Sequence, residues 1–183
     1  MATIMTQLRR IYDRFLEVIA VVLIVAVTAI IVAGTVFRWL GISLVWYDEI
    51  ASISLCWLTY YAGALAALRG AHIGFSGFVN SLPTNWRVAA TLFASGTTIF
   101  FFTLLAYTGI HVVKILQGDT LVSLPNVPLQ VTQSVIPIAA VMFVIAELLH
   151  LPELVREARR GPLVDPELKI ALEHAQAAKD IKP

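Results

Sequence analysis

Residues 18–37 read VIAVVLIVAVTAIIVAGTVF, 20 consecutive positions without a charge. A helix rising about 1.5 Å per residue covers about 30 Å over that length, the thickness of a bilayer's hydrocarbon core. Arg9, Arg10 and Arg14 precede the run, as in a secretory signal. The run is nevertheless longer than the roughly 7–15 apolar residues of a cleaved signal, so it reads as a retained anchor. Downstream, residues 50–68, 88–110 and 129–149 repeat the pattern. Lipid cannot hydrogen-bond a bare backbone, and these segments lack the alternation of barrel strands, so each must be a helix. The predicted fold is an all-α integral membrane protein with four transmembrane helices.

Composition agrees with this. The chain is 58% hydrophobic and 14% charged, against roughly 25% charged in an average soluble domain. Its 183 residues divide into an N-terminal segment 1–17, a four-span membrane domain 18–151 and a tail 152–183. The fourth span is the least regular, holding Gln130, Gln133, Pro137 and Glu147. A kink is expected at Pro137, and Pro152 is expected to close the span. In the tail, Asp165 before Pro166 fits the start of a short surface helix, and a frayed tail fits as well. The single cysteine, Cys56, excludes an intrachain disulfide and reads as a packing residue.

Eleven of the 13 Lys and Arg residues lie in the N-terminus, the second gap and the tail. The other two gaps hold only Arg38 and Lys114. The positive-inside rule therefore places both termini in the cytoplasm. Trp39, Trp46 and Tyr47 fall in the first gap, and Tyr12 and Trp86 on the opposite side. Such rings favour the headgroup level, so Trp39, Tyr47 and Trp86 are expected to be interfacial anchors. The first gap also has room for a short interfacial helix. Ala62-xxx-Ala66, Gly63-xxx-Ala67 and Thr91-xxx-Ser95 carry small residues at the spacing that lets helices approach closely. They suit packing within the chain or against another subunit.

No phosphate-cradling glycine loop, HExxH pair or nucleophile elbow is present, which speaks against an enzyme. A charge deep in a membrane is a functional-site hypothesis by default. Here Glu17, Arg38, Glu49, Arg69, Lys114 and Glu147 all lie at span ends, which is unlike a self-sufficient ion-coupled carrier. His72 and His150 would lie on the same side and invite a bis-histidine haem reading. Both sit at or beyond span ends, where a haem would be poorly buried, and His111 on the other side has no facing histidine, so ordinary hydrogen bonding explains them better.

Two local clusters remain. Trp46-Tyr47-Asp48-Glu49 precedes the second span, where carboxylates complement the helix dipole and Glu49 has the further option of pairing across an interface. Arg69-Gly70-Ala71-His72-Ile73 closes that span, with Gly70 a natural terminator and Arg69 free to snorkel to headgroups.

In order and spacing, these residues resemble the small membrane subunit of tripartite ATP-independent periplasmic (TRAP) transporters, the DctQ-type family. The similarity runs from Arg38 closing span one through Trp46 and Glu49 entering span two to Arg69–Ile73, Leu82-Pro83 and Ile136-Pro137-Ile138. It covers roughly residues 10–155. Where the family often has a valine and an aspartate after its histidine-isoleucine, this chain has Gly74, Phe75 and Ser76, which puts any contact of that aspartate in doubt.

The resemblance implies a static scaffold subunit in the bacterial inner membrane, beside a large polytopic subunit that moves an organic acid with a sodium gradient. A periplasmic substrate-binding protein would deliver the acid. Sodium would bind the partner, so no cofactor is expected on this chain, and no nucleic acid. Arg38, Trp46, Glu49, Arg69 and His72 are the expected interface or structural polar contacts. Two alternatives stay open: a haem-binding membrane anchor of a redox complex, and a small autonomous carrier or channel.

Overall fold

The computed structural model describes residues 2–70 and 81–160. Four of its helices are long and apolar enough to cross a membrane. Helix α1 spans Ala2–Trp39, α2 Tyr47–Arg69, α3 Thr84–Ile115, α4 the short Leu129–Gln133, and α5 Val135–Arg160. The chain is thus an all-α four-span membrane protein. The helices outrun the uncharged segments because nothing at a segment's end breaks them: the charged residues that follow are themselves good helix formers.

Breaks occur where the backbone demands them. Residues 40–46 form turns and no helix, with Gly41 at φ +80°, so the room in the first gap is not used for an interfacial helix. Gly70 ends α2 in the left-handed conformation, φ +66°, its N–H returning to the carbonyls of Ala66 and Ala67. Only glycine adopts that geometry without cost. Pro137 has no N–H to offer the carbonyl four residues back, at Gln133, and helicity lapses between α4 and α5 at Ser134. Pro152 does not end the last span as expected. It lies inside α5, which runs on to Arg160, because a proline forfeits one hydrogen bond and kinks a helix without being obliged to stop it.

Call the end where α1 begins proximal and the opposite end distal. Helices α1 and α2 pack antiparallel as one hairpin, α3 and α5 as another, and the two hairpins meet through α2 and α5. The lateral order is therefore α1, α2, α5, α3. This is an open layer, not a closed four-helix bundle, and extensive α1–α3 packing is absent among the described residues. A buried centre of Leu16, Ala64, Ala67, Leu68, Phe143 and Ala146 joins α1, α2 and α5. Phe102 of α3 reaches it by stacking on Phe143, with ring centroids 3.6 Å apart and planes 8° from parallel. At the distal end of the second hairpin Gly109 admits Pro137 and Ile136, which would lie 3.1–3.2 Å from any Cβ there.

The open layer leaves most side chains facing outward. Only 17% of the most apolar stretch of α1 is buried and 11% of that of α3, against 44% for the fourth span, which includes α5. Small residues follow the same logic. Thr91 and Ser95 are buried on α3, whose one extensive long-helix partner is α5, and Ala67 is buried on α2. Gly63 meets open space.

Candidate functional site

The polar residues picked out by sequence gather at the two ends of the layer, and each end has its own construction. At the proximal end Arg69, last residue of α2, meets α1. Its Nε donates to Asp13 Oδ1 at 2.7 Å and its Nη2 to Asp13 Oδ2 at 2.8 Å. Glu17 Oε2 lies 3.1 Å from the same Nη2. Planar guanidinium and carboxylate groups fit edge to edge in this way, and Asp13 and Glu17 share a helix face because they are four residues apart. Both partners are partly open to solvent, so the pair fixes geometry more than it stabilises, contributing no more than about 1 kcal/mol.

Beside it lies a junction that sequence reasoning missed. Arg9 of α1 donates through Nη2 to the Leu68 carbonyl at 2.9 Å, and through Nη1 to Glu153 of α5. The Leu68 carbonyl is one of the last in α2 and has no partner within the helix. His150 Nδ1 stands 3.4 Å from Arg9 Nη2 and 3.9 Å from Glu153 Oε2. Arg9 thus ties its own helix to two others, α2 and α5. His150 is buried against Gly70, where an added Cβ would lie 2.7 Å from the ring Nε2. Tyr12 adds a hydrogen bond from its hydroxyl to the Met142 carbonyl at 2.7 Å. A signal was present in the sequence: Arg9, Asp13 and Glu17 recur every fourth residue along the face that carries Leu16 and Ala20, which marks a face turned toward other helices.

At the distal end Arg38 leans over Tyr47, its Cζ 5.5 Å from the ring centroid, and donates to the Tyr47 hydroxyl. Asp48 lies 4.0 Å away. Tyr47, expected as an interfacial anchor, is instead buried, because Gly34 on α1 leaves a slot for its ring. Trp39 and Trp86 are well exposed at opposite ends, and Trp46 is exposed just before α2.

Glu49 does not point away from the chain. Its carboxylate accepts the backbone N–H of Val122 at 3.3 Å and of Ser123 at 2.9 Å, together with the Ser123 hydroxyl. The connection 116–128 is itself closed by an antiparallel bridge between Thr120 and Pro128, and by bonds from Leu121 N to Val127 O and Leu129 N to Asp119 O. Leu121 is buried beneath it. Nearby, Trp57 Nε1 donates to the Thr132 carbonyl at 2.9 Å, and Gln130 Nε2 to the Val113 carbonyl at 3.0 Å. No motif marked Ser123, Trp57 or Gln130 in advance, since Trp57 and Gln130 donate to backbone carbonyls that any residue carries and Ser123 meets a carboxylate 74 positions away.

His72, Ile73, the departure at residues 74–76 and the helix start at Asp165-Pro166 lie outside the described residues. Among the described residues no three His, Cys, Asp or Glu side chains converge as a metal site would require. Glu147 and His150 are buried three positions apart on α5, and His111 is exposed near the distal end of α3. The arrangement joins helices and loops; nowhere in the described residues does it surround a reacting group.

A family model described as "Tripartite ATP-independent periplasmic transporters, DctQ component" matches residues 27–157. No curated protein matches the chain.

Proposed function

The chain belongs to the DctQ family of tripartite ATP-independent periplasmic transporters, and from that premise we propose that it is the small, static membrane subunit of a sodium-driven importer of an organic acid. It braces a large polytopic subunit in the bacterial inner membrane, with both termini in the cytoplasm and the distal connections facing a periplasmic substrate-binding protein. It carries out no catalysis of its own.

The observation that carries this reading is how the charges are used. Arg9, Asp13, Arg69 and Glu153 pair with one another at the proximal end, and Glu49 is spent on a loop at the distal end. Between those ends, residues 18–37, 50–68 and 88–110 carry no charge. Coupling transport to an ion needs a charged or coordinating group part-way across the bilayer. A membrane layer braced at both rims and neutral between them suits a scaffold. The outward side of α2 supports the same reading, for Ser52, Cys56 and Thr59 are exposed along it. Small residues are what a close helix–helix contact in lipid requires.

Mild-detergent purification of the tagged chain is expected to bring down a much larger membrane protein encoded beside it. Liposomes holding this chain alone are expected to show no sodium-dependent uptake, and liposomes holding both membrane subunits, supplied with the binding protein, are expected to show it. Uptake by the lone chain would overturn the scaffold reading. A Soret band in the purified chain would favour the haem-anchor alternative.

A further inference from the structure

With the proximal pairs assigned, the charges of α1 divide by face. Arg9, Asp13 and Glu17 are committed to α2 or α5. Arg10 and Arg14 are exposed and make no hydrogen bond or ion pair among the described residues. The carboxylate one turn beyond Arg14, Glu17, is drawn to Arg69 instead. Two guanidinium groups four positions apart on a helix, with Cβ atoms about 5–6 Å from each other, reach a single anion from one side.

Depth and surroundings define that anion. If residues 18–37 fill the hydrocarbon core, Arg14 sits about 6 Å outside it and Arg10 about 12 Å, and a headgroup layer is about 5–8 Å thick. Arg14 is therefore at phosphate level, and the long Arg10 side chain reaches back to it. Beside the pair, Phe15, Val18 and Val22 follow one another along the helix at 49–61% exposure. They make an unbroken apolar track running from the headgroup level into the core.

We propose that Arg10 and Arg14 hold the headgroup phosphate of one anionic phospholipid whose acyl chain lies along Phe15, Val18 and Val22. Guanidinium groups match phosphate oxygens two at a time. Two unopposed positive charges favour a lipid of net negative charge over a zwitterionic one, whose amine cancels the attraction. The site needs only that α1 crosses a bilayer and does not depend on the transporter assignment.

Native mass spectrometry of the full chain in mild detergent, titrated with phosphatidylglycerol or phosphatidylcholine, tests this. Wild type is expected to retain one phosphatidylglycerol in preference to phosphatidylcholine, and R10Q/R14Q to bind it roughly 30-fold more weakly. R156Q/R159Q removes the same charge from exposed positions at the same end of α5, and is expected to leave retention within about threefold, below the effect of one arginine. Should the double variant fail to fold, R14Q alone is expected to lose roughly fivefold. Unchanged affinity in the Arg10 and Arg14 variants would overturn the site. Equal loss in R156Q/R159Q would reduce it to a diffuse basic surface, and displacement by inorganic phosphate would make it a free-phosphate site; either result also overturns it.

Discussion

At the proximal end of the layer the ion pairs gather, Arg69 with Asp13 and Arg9 with Glu153, whereas at the distal end most side-chain contacts are to backbone groups, Glu49 to Val122 and Ser123, Trp57 to Thr132 and Gln130 to Val113. The proximal contacts tie α1 to α2 and α5. The distal contacts close connections between consecutive helices and seat a ring in a glycine slot. A charged pair half in water tolerates small displacements, because its attraction falls off gently with distance. A ring packed against a backbone, or a carboxylate holding two amides, does not. The distal end is accordingly the less forgiving of the two.

Gly34→Leu is the hardest blow that comparison predicts. Any Cβ there overlaps the buried Tyr47 ring at its root, where it cannot swing aside. Overpacking of that kind costs about 1–3 kcal/mol, and thermal unfolding in detergent is expected to begin well below that of wild type. A wild-type melting temperature for Gly34→Leu would mean that the α1–α2 hairpin is looser than the structure has it.

Arg9→Ala comes next. It strands the carbonyl of the buried Leu68, while Glu153 stays open to water, so a loss of about 1–2 kcal/mol is expected. The loss should shrink as salt is raised, since part of it is screened charge attraction. A salt-independent loss would show that Arg9 acts through packing and not through its charge.

Glu49→Gln is the mildest. A neutral amide still offers one acceptor oxygen, so the fold should persist while the amides of residues 122 and 123 exchange with solvent faster than in wild type. Hydrogen exchange read by mass spectrometry on the 116–128 connection decides it. Unchanged protection there would remove the carboxylate clamp and return Glu49 to the helix-dipole role that its position alone suggests.

Part of the site was legible in advance and part was not. Arg38, Glu49 and Arg69 stood out because charges beside apolar runs are conspicuous, and all three make contacts that join elements. Which partner each would find was another matter. Asp13 lies 56 positions from Arg69, and Ser123 lies 74 from Glu49. Nothing local links such residues. Tyr47 was misjudged for a related reason: an aromatic ring beside a span normally favours the headgroups, but a glycine on the neighbouring helix made burial available to it.

The number of apolar helices long enough to cross a membrane, and their helicity, followed from the amino-acid order alone, because an apolar stretch of about 20 residues in lipid has to satisfy its own backbone bonds. Gly70 and Pro137 likewise announced their interruptions through the torsion and the donor each one lacks or permits. The lateral order of the helices was settled only in three dimensions, and with it the meeting of α2 with α5 and the burial of Thr91 and Ser95. In water, the buried face of a helix is the apolar one and can be read from its period. In lipid both faces are apolar, so periodicity falls silent and packing decides.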